Sequence, residues 1–171
     1  MKKRIALVAH DSRKEELKEW VEYNKKVLNE CELYATGTTG TLLQECFIEK
    51  NPSIKHNLQN GYELATSDIK FKYTNTITKL HSGPLGGDQE IGAMIANGKL
   101  DVVIFFCDNL ITQGHAQDIQ ALSRLASLYN IAYANNRTTA DMIITSPLFC
   151  DPDYEMKVPS CIEKYASRFN V

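Results

Sequence analysis

The chain has 171 residues, which at roughly 150 residues per domain is the length of one domain. Hydrophobic residues make up 43% and charged residues 23%, a balance that excludes a disordered chain. Nineteen Lys and Arg against 21 Asp and Glu leave a formal charge of −2, without the overall basic signature of a nucleic-acid binder.

No apolar run approaches the roughly 18 residues of a membrane span. Lys2, Lys3 and Arg4 followed by Ile5-Ala6-Leu7-Val8-Ala9 superficially resemble a secretion signal. Five apolar residues before His10-Asp11 are too few for its apolar region, so Arg4–Ala9 reads as a buried first strand. Ser12, with Glu15 three residues on, fits a capping box opening a helix. Leu17, Trp20, Val21 and Leu28 then recur at helical spacing. Glu32–Thr36 is a second strand, Asp101–Phe106 a third and Ile131–Ala134 a fourth, and His115–Tyr129 repeats the helical pattern through Ile119, Leu122, Leu125 and Ala126. Strands alternating with helices predict a three-layer α/β/α, Rossmann-like fold on a mainly parallel sheet of about five strands.

One stretch breaks the alternation. After a helix starting near Thr39, Asn51-Pro52 ends the periodic pattern, and no motif reappears until Ser82. Between Gly40 and Ser82 lie 41 residues where a crossover needs about a dozen. Asn60-Gly61 marks a turn, and Ile69, Phe71 and Tyr73 alternate with polar neighbours, so 62–74 is either an inserted β-hairpin or a loop. The expectation is a single domain over 1–171 with an insertion at about 44–79, packed outside the core or at a subunit contact. Five cysteines without any CxxC spacing argue against a disulfide framework or structural zinc, and for reduced thiols in a cytoplasm.

Ligands of such folds sit beyond the carboxyl ends of the strands. There the chain carries His10-Asp11 with Lys14, Thr36-Gly37-Thr38-Thr39-Gly40, Ser82-Gly83-Pro84-Leu85-Gly86-Gly87-Asp88-Gln89, and Asp108 followed by His115 and Asp118. Thr36–Gly40 has the composition of a phosphate cradle: glycines let amides converge, threonines add donors, and a helix start attracts the anion. Lys14 supplies a balancing charge. A plain strand-to-helix turn with a Thr N-cap fits the same residues. Asp88 is either an N-cap or a carboxylate presented by an irregular loop, where a helix start favours its charged form. His115 and Asp118, three apart, share a helix face as either a surface contact or a catalytic pair. His56 and His81 read as structural.

These segments resemble the methylglyoxal synthases. The likeness runs through ALVAHD (Ala6–Asp11) with Lys14, LYATGTTG (Leu33–Gly40), SGPLGGDQ (Ser82–Gln89) and DVVIFFCD (Asp101–Asp108), with His115 and Asp118 at the family's spacing. Ala140-Asp141, Ser146-Pro147 and Arg168 continue it. The resemblance implies conversion of dihydroxyacetone phosphate to methylglyoxal and inorganic phosphate in the cytoplasm, with no metal or organic cofactor. It makes Asp88 the base and His115 the group that stabilises an enediolate. Lys14, Thr36, Gly37, Thr38, Thr39, Ser82 and Gly83 would hold the phosphate, and His10 would contact substrate. Asp11 and Asp118 match acidic active-site positions. It also implies a homohexamer, inhibition by phosphate, and Arg168 reaching a neighbouring subunit's site. Between Asp108 and His115 the chain departs from the family, lacking its prolines, and Ala116 replaces an acidic residue next to the His. The competing reading is a non-catalytic domain of the same fold that binds a phosphorylated effector or nucleotide.

Overall fold

Successive side chains of a strand face opposite ways, so strands apolar on both faces need helices on both sides. The structure is a computed structural model that describes residues 2–49, 73–110 and 116–168, the side chains of 116–119 excepted. Its sheet has five parallel strands: β1 (Arg4–Ala9), β2 (Glu32–Thr36), β3 (Ile77–Leu80), β4 (Val102–Phe106) and β5 (Ala132–Ala134). Their spatial order is β3-β2-β1-β4-β5, and Leu7 at the centre pairs with Ala35 on one side and Ile104 on the other. The helices are α1 (Lys14–Tyr23), α2 (Lys25–Leu28), α3 (Gly37–Gln44), α4 (Gly87–Ala96), α5 (Ala116–Leu128), α6 (Arg137–Ile144), α7 (Pro147–Cys150) and α8 (Ser160–Ser167).

The two faces of the sheet divide the core. Ile5, Leu7, Leu33, Ile104 and Phe106 pack with Leu17 and Trp20 of α1, Leu43 of α3 and Ile144 of α6. Ala6, Val8, Val103 and Phe105 pack with Ile91 and Ile95 of α4 and Leu122 of α5. Each large side chain fully buried in this way contributes about 1.5–3 kcal/mol of transfer free energy. The Trp20 indole N–H is satisfied inside the core by Asp141 at 2.8 Å. The three-layer α/β/α expectation therefore describes the fold.

The strand missing from the sequence reading is β3. It is an edge strand with only Ile77 buried, so its apolar pattern is weak. Residues 77–79 at the end of the expected 44–79 insertion belong to it. Gln44 ends α3, and its side chain accepts the Ile77 N–H and donates to Asn75 O, tying that helix to the edge strand. The 62–74 hairpin lies outside the described residues except for its last two. Of those, Tyr73 makes an antiparallel bridge to Ile48, and the Thr74 N–H donates to Phe47 O at 2.7 Å.

Ser12 does not cap a helix. Asp11–Arg13 form a 3-10 turn, Arg13 occupies the N-cap position of α1, and the Ser12 hydroxyl donates instead to the Asp108 carboxylate at 2.5 Å. A carboxylate across the crevice outcompetes the local amide because a charged acceptor makes the stronger bond. The helix expected near Thr39 begins earlier, at Gly37. All five cysteines are free: Cys31, Cys46 and Cys107 are buried, Cys150 and Cys161 exposed. Among the described residues, no helix is long and apolar enough to cross a membrane.

From β1 the chain works outward to β2 and β3, then returns through α4 to β4 on the far side of β1. Helices following the two halves diverge, leaving a crevice beyond the carboxyl ends of β1 and β4. The cleft described next lies there.

Candidate active site

His10 is the first residue after β1, and Asp108 is the second residue after β4. The His10 Nδ1 accepts the Asp108 backbone N–H at 2.8 Å, and its ring stands edge-on to Phe105 with centroids 5.1 Å apart. An accepting Nδ1 fixes the neutral tautomer, leaving the hydrogen on Nε2. Asp108 is held in turn by the Ser12 hydroxyl on one oxygen and the Leu110 N–H on the other.

After β2, Thr36 is the N-cap of α3 but its side chain makes no capping hydrogen bond. Among the described residues no side chain caps these first-turn amides, as an anion site requires. Thr36 and Thr39 are buried at this end, and Lys14 reaches over from α1 to donate to the Thr38 hydroxyl at 2.7 Å. The same ammonium pairs with Asp11 at 2.5 Å. That hydrogen bond, with the attraction of the charge, holds the Asp11 carboxyl below its usual range. Asp11 itself is 87% exposed, so its contact is with Lys14 rather than the depth of the cleft.

The glycine-rich segment after β3 is shaped by close approach. Gly83–Leu85 form a 3-10 turn, and Gly86 takes φ +96°, a left-handed value that disfavours side chains. A Cβ on Gly87 would lie 2.0 Å from the His81 carbonyl oxygen, and one on Gly37 would lie 3.1 Å from the Ser82 backbone. The Gly37 N–H donates to that same His81 oxygen at 3.3 Å, so the loops after β2 and β3 interlock. His81, expected to be structural, pairs through Nδ1 with Glu90 Oε1 at 2.8 Å, and its N–H donates to Glu90 Oε2 at 2.8 Å. The backbone bond first and the ring bond second hold the Glu90 carboxyl below its ordinary value. His56 lies outside the described residues.

Asp88 does not cap α4; Gly86 occupies the N-cap and Asp88 stands in the first turn. One of its oxygens accepts from the Gln89 side-chain amide, while Oδ1 is buried and has no hydrogen-bond partner among the described residues. A buried carboxylate oxygen without a donor is a costly arrangement that a substrate hydroxyl or proton would relieve.

These groups line one cleft of about 360 Å³. Its polar wall comprises His10, Asp11, Lys14, Thr36, Thr38, Thr39, Ser82 and Asp88, with Gly83 beside them; Val8, Phe105 and Leu122 form its apolar floor. Gly37 does not line it directly and acts through the interlock. His115 lies outside the described residues, and Asp118 is in the first turn of α5, its side chain not among those described. Arg168, exposed at the end of α8, is not part of the cleft of this single chain. Asp108, expected at the strand ends but given no role there, is placed beside the cleft by its backbone bond to His10, and Ser12, expected as a helix cap, is its partner. Among the described residues, no group of three His, Cys, Asp or Glu side chains is placed to hold a metal ion.

A family model described as an MGS-like domain matches residues 63–135. The methylglyoxal synthase of Maridesulfovibrio salexigens is 47% identical over 147 residues, 86% of this chain and 85% of its own length. The chain belongs to the methylglyoxal synthase family. That of Pseudoalteromonas atlantica is 46% identical over 93% of this chain and 98% of its own. The crystal structure of methylglyoxal synthase from Elizabethkingia anophelis superposes with a TM-score of 0.66 at 37% identity, covering 86% of this chain and 80% of that one. Family membership carries the resemblance from motifs to most of the chain, and the α/β fold with it.

Proposed function

We propose that the chain is a carbon–oxygen lyase that converts dihydroxyacetone phosphate to methylglyoxal and inorganic phosphate. Family membership supports the reaction. The observation that carries its placement is the partnerless Asp88 Oδ1 in the same cleft as the uncapped start of α3 and Lys14.

In this reading the phosphate docks on the hydroxyls of Thr36, Thr38, Thr39 and Ser82 and on the amides of Thr38 and Thr39, beside Gly37 and Gly83, with Lys14 as counter-charge. Asp88 takes a proton from the hydroxyl-bearing carbon, and the C–H electron pair forms the enediolate double bond. Negative charge develops on the former carbonyl oxygen, where the resemblance assigns His115 as donor and the Nε2–H of His10 offers a second. The hydroxyl of the deprotonated carbon then gives up its proton and becomes a carbonyl, the double-bond pair shifts to the phosphate-bearing carbon, and the C–O bond breaks with its electron pair and that proton leaving on the phosphate. The remaining enol, protonated at its methylene carbon, becomes methylglyoxal. Expulsion needs that bond out of the enediolate plane, which a phosphate site fixed beside the base favours. Asp11 orients Lys14, and Asp118 is an acidic group of the same site. No cofactor enters any step.

In the same reading the protein is a cytoplasmic homohexamer in which Arg168 reaches a neighbouring site, phosphate is product and inhibitor, and the chain is one domain whose insertion at about 44–79 packs outside the core or at a subunit contact. The test is purified protein with dihydroxyacetone phosphate and no added metal, methylglyoxal trapped and phosphate counted. Asp88→Asn is expected to lower turnover by about two to four orders of magnitude. Near-wild-type turnover by that variant would remove Asp88 as base. Saturable phosphate binding without turnover by the wild-type chain would favour the non-catalytic effector domain.

A further inference from the structure

We propose that Glu90 is a positioning residue for the phosphate cradle, acting through His81; this rests on the lyase reading for its kinetic arm. Neither residue lines the cleft. Glu90 grips His81 with both carboxylate oxygens, one on the backbone N–H and one on Nδ1, each at 2.8 Å. His81 needs that grip because of its place in the sheet. Ladder pairing between β2 and β3 ends at Thr36↔Leu80, and β3 is an edge strand, so beyond Leu80 no neighbouring strand holds the chain.

The carbonyl of this same residue receives the Gly37 N–H and faces Gly87 so closely that no Cβ fits between them. The His81 peptide therefore cannot move toward α4. Released by Glu90, it moves away from α4 and takes the Gly37 contact with it. Glu90 and Asp88 lie in the same first turn of α4. The clamp thus references the start of α3, where the phosphate docks, to the helix that carries the base.

Electrostatics and positioning predict opposite signs, which makes the proposal testable. Removing a negative charge near an anion site should tighten phosphate binding. Losing the clamp should weaken it. Glu90→Ala is expected to raise both the KM for dihydroxyacetone phosphate and the Kd for inorganic phosphate by about tenfold, the scale of one or two lost charged hydrogen bonds. Glu90→Gln keeps both contacts, its oxygen accepting the His81 N–H and its amide donating to Nδ1 in the other tautomer. It is expected to stay within about twofold of wild type in both constants. His81→Ala retains the backbone bond and should fall between them, and the double variant with Glu90→Ala should be no worse than Glu90→Ala alone. Unchanged or tighter phosphate binding by Glu90→Ala would overturn the proposal, as would Glu90→Gln matching its defect, or a lowered Tm with unaltered phosphate affinity. Absence of turnover in the wild-type chain would count against the lyase reading alone, because phosphate titration by calorimetry still reads the clamp.

Discussion

The Nδ1 of His10 accepts the backbone N–H of Asp108 at 2.8 Å, stitching the loop after β1 to the loop after β4 across the mouth of the crevice. In the proposed reaction the same imidazole has a second, separable job, offering its Nε2–H to the ligand. Asparagine places its oxygen near the Nδ1 position and nothing at Nε2. His10→Asn is therefore expected to keep Tm close to wild type while kcat/KM falls about tenfold or more. His10→Ala also strands the Asp108 N–H, adding a stability loss of about 1–3 kcal/mol, visible as a fall of several degrees in Tm. Equal Tm losses in the two variants would contradict the division.

Two glycines of one loop should respond differently to a single methyl group. At Gly87 a Cβ would collide with the His81 oxygen at 2.0 Å; at Gly83, which lines the cleft, a Cβ meets nothing within 4 Å. Gly87→Ala is expected to cost about 1–3 kcal/mol and lower Tm by several degrees. Gly83→Ala should leave Tm unchanged and raise the KM for dihydroxyacetone phosphate by intruding on the bound phosphate. Thermal melts and steady-state kinetics on the pair decide it.

At the amino end of the sheet, Asp101 accepts from the Arg4 backbone N–H and from two guanidinium nitrogens. Burial pushes its carboxyl up, but the Arg4 hydrogen bonds and charge outweigh burial and leave it below the ordinary carboxylate range. A lowered folded value means stability that is fully present above the unfolded value, near pH 4, and lost as pH falls through the folded one. Denaturant melts from pH 6 to pH 3 should show wild type losing stability faster at the acid end than Asp101→Asn. Parallel pH profiles would contradict this.

The thiols divide by environment. Burial, ahead of all other influences, pushes Cys31, Cys46 and Cys107 each up to about 11, while Cys150 and Cys161 are exposed. Thiolate is the reactive form, so a chromogenic disulfide reagent at pH 8 is expected to titrate two thiols rapidly in the native chain and all five in denaturant. Rapid reaction of Cys107, which lies just past β4, would contradict the packing found there.

Periodic burial made most of the fold legible. β1 and β4 announce themselves because both faces are apolar, β2 because buried Leu33 and Ala35 alternate with Glu32 and Tyr34, and α1 because Leu17, Trp20 and Val21 recur on one face. β3 escaped because an edge strand with a single buried residue carries no such pattern. Ser12 was misassigned because a capping box is a local signal, and its hydroxyl found a charged partner 96 residues away. The site residues were legible as residue types at strand ends. Most of their pairings were not: Lys14 was expected at the Thr36–Gly40 turn, but nothing in sequence separation says that Ser12 meets Asp108 or that Glu90 grips His81.

The antiparallel bridge between Ile48 and Tyr73, with the Thr74 N–H on Phe47 O beside it, closes the chain into a neck. Ile48 and Tyr73, with 24 residues between them in the sequence, thus stand side by side ahead of the edge strand. Closing such a loop costs only about 1–2 kcal/mol more than closing a four-residue turn. The register of the sheet therefore does not feel how much chain is threaded there. A foreign peptide spliced between Ile48 and Tyr73 is accordingly expected to leave the strands beneath the cleft in register, which the melting temperature and turnover of the fusion check.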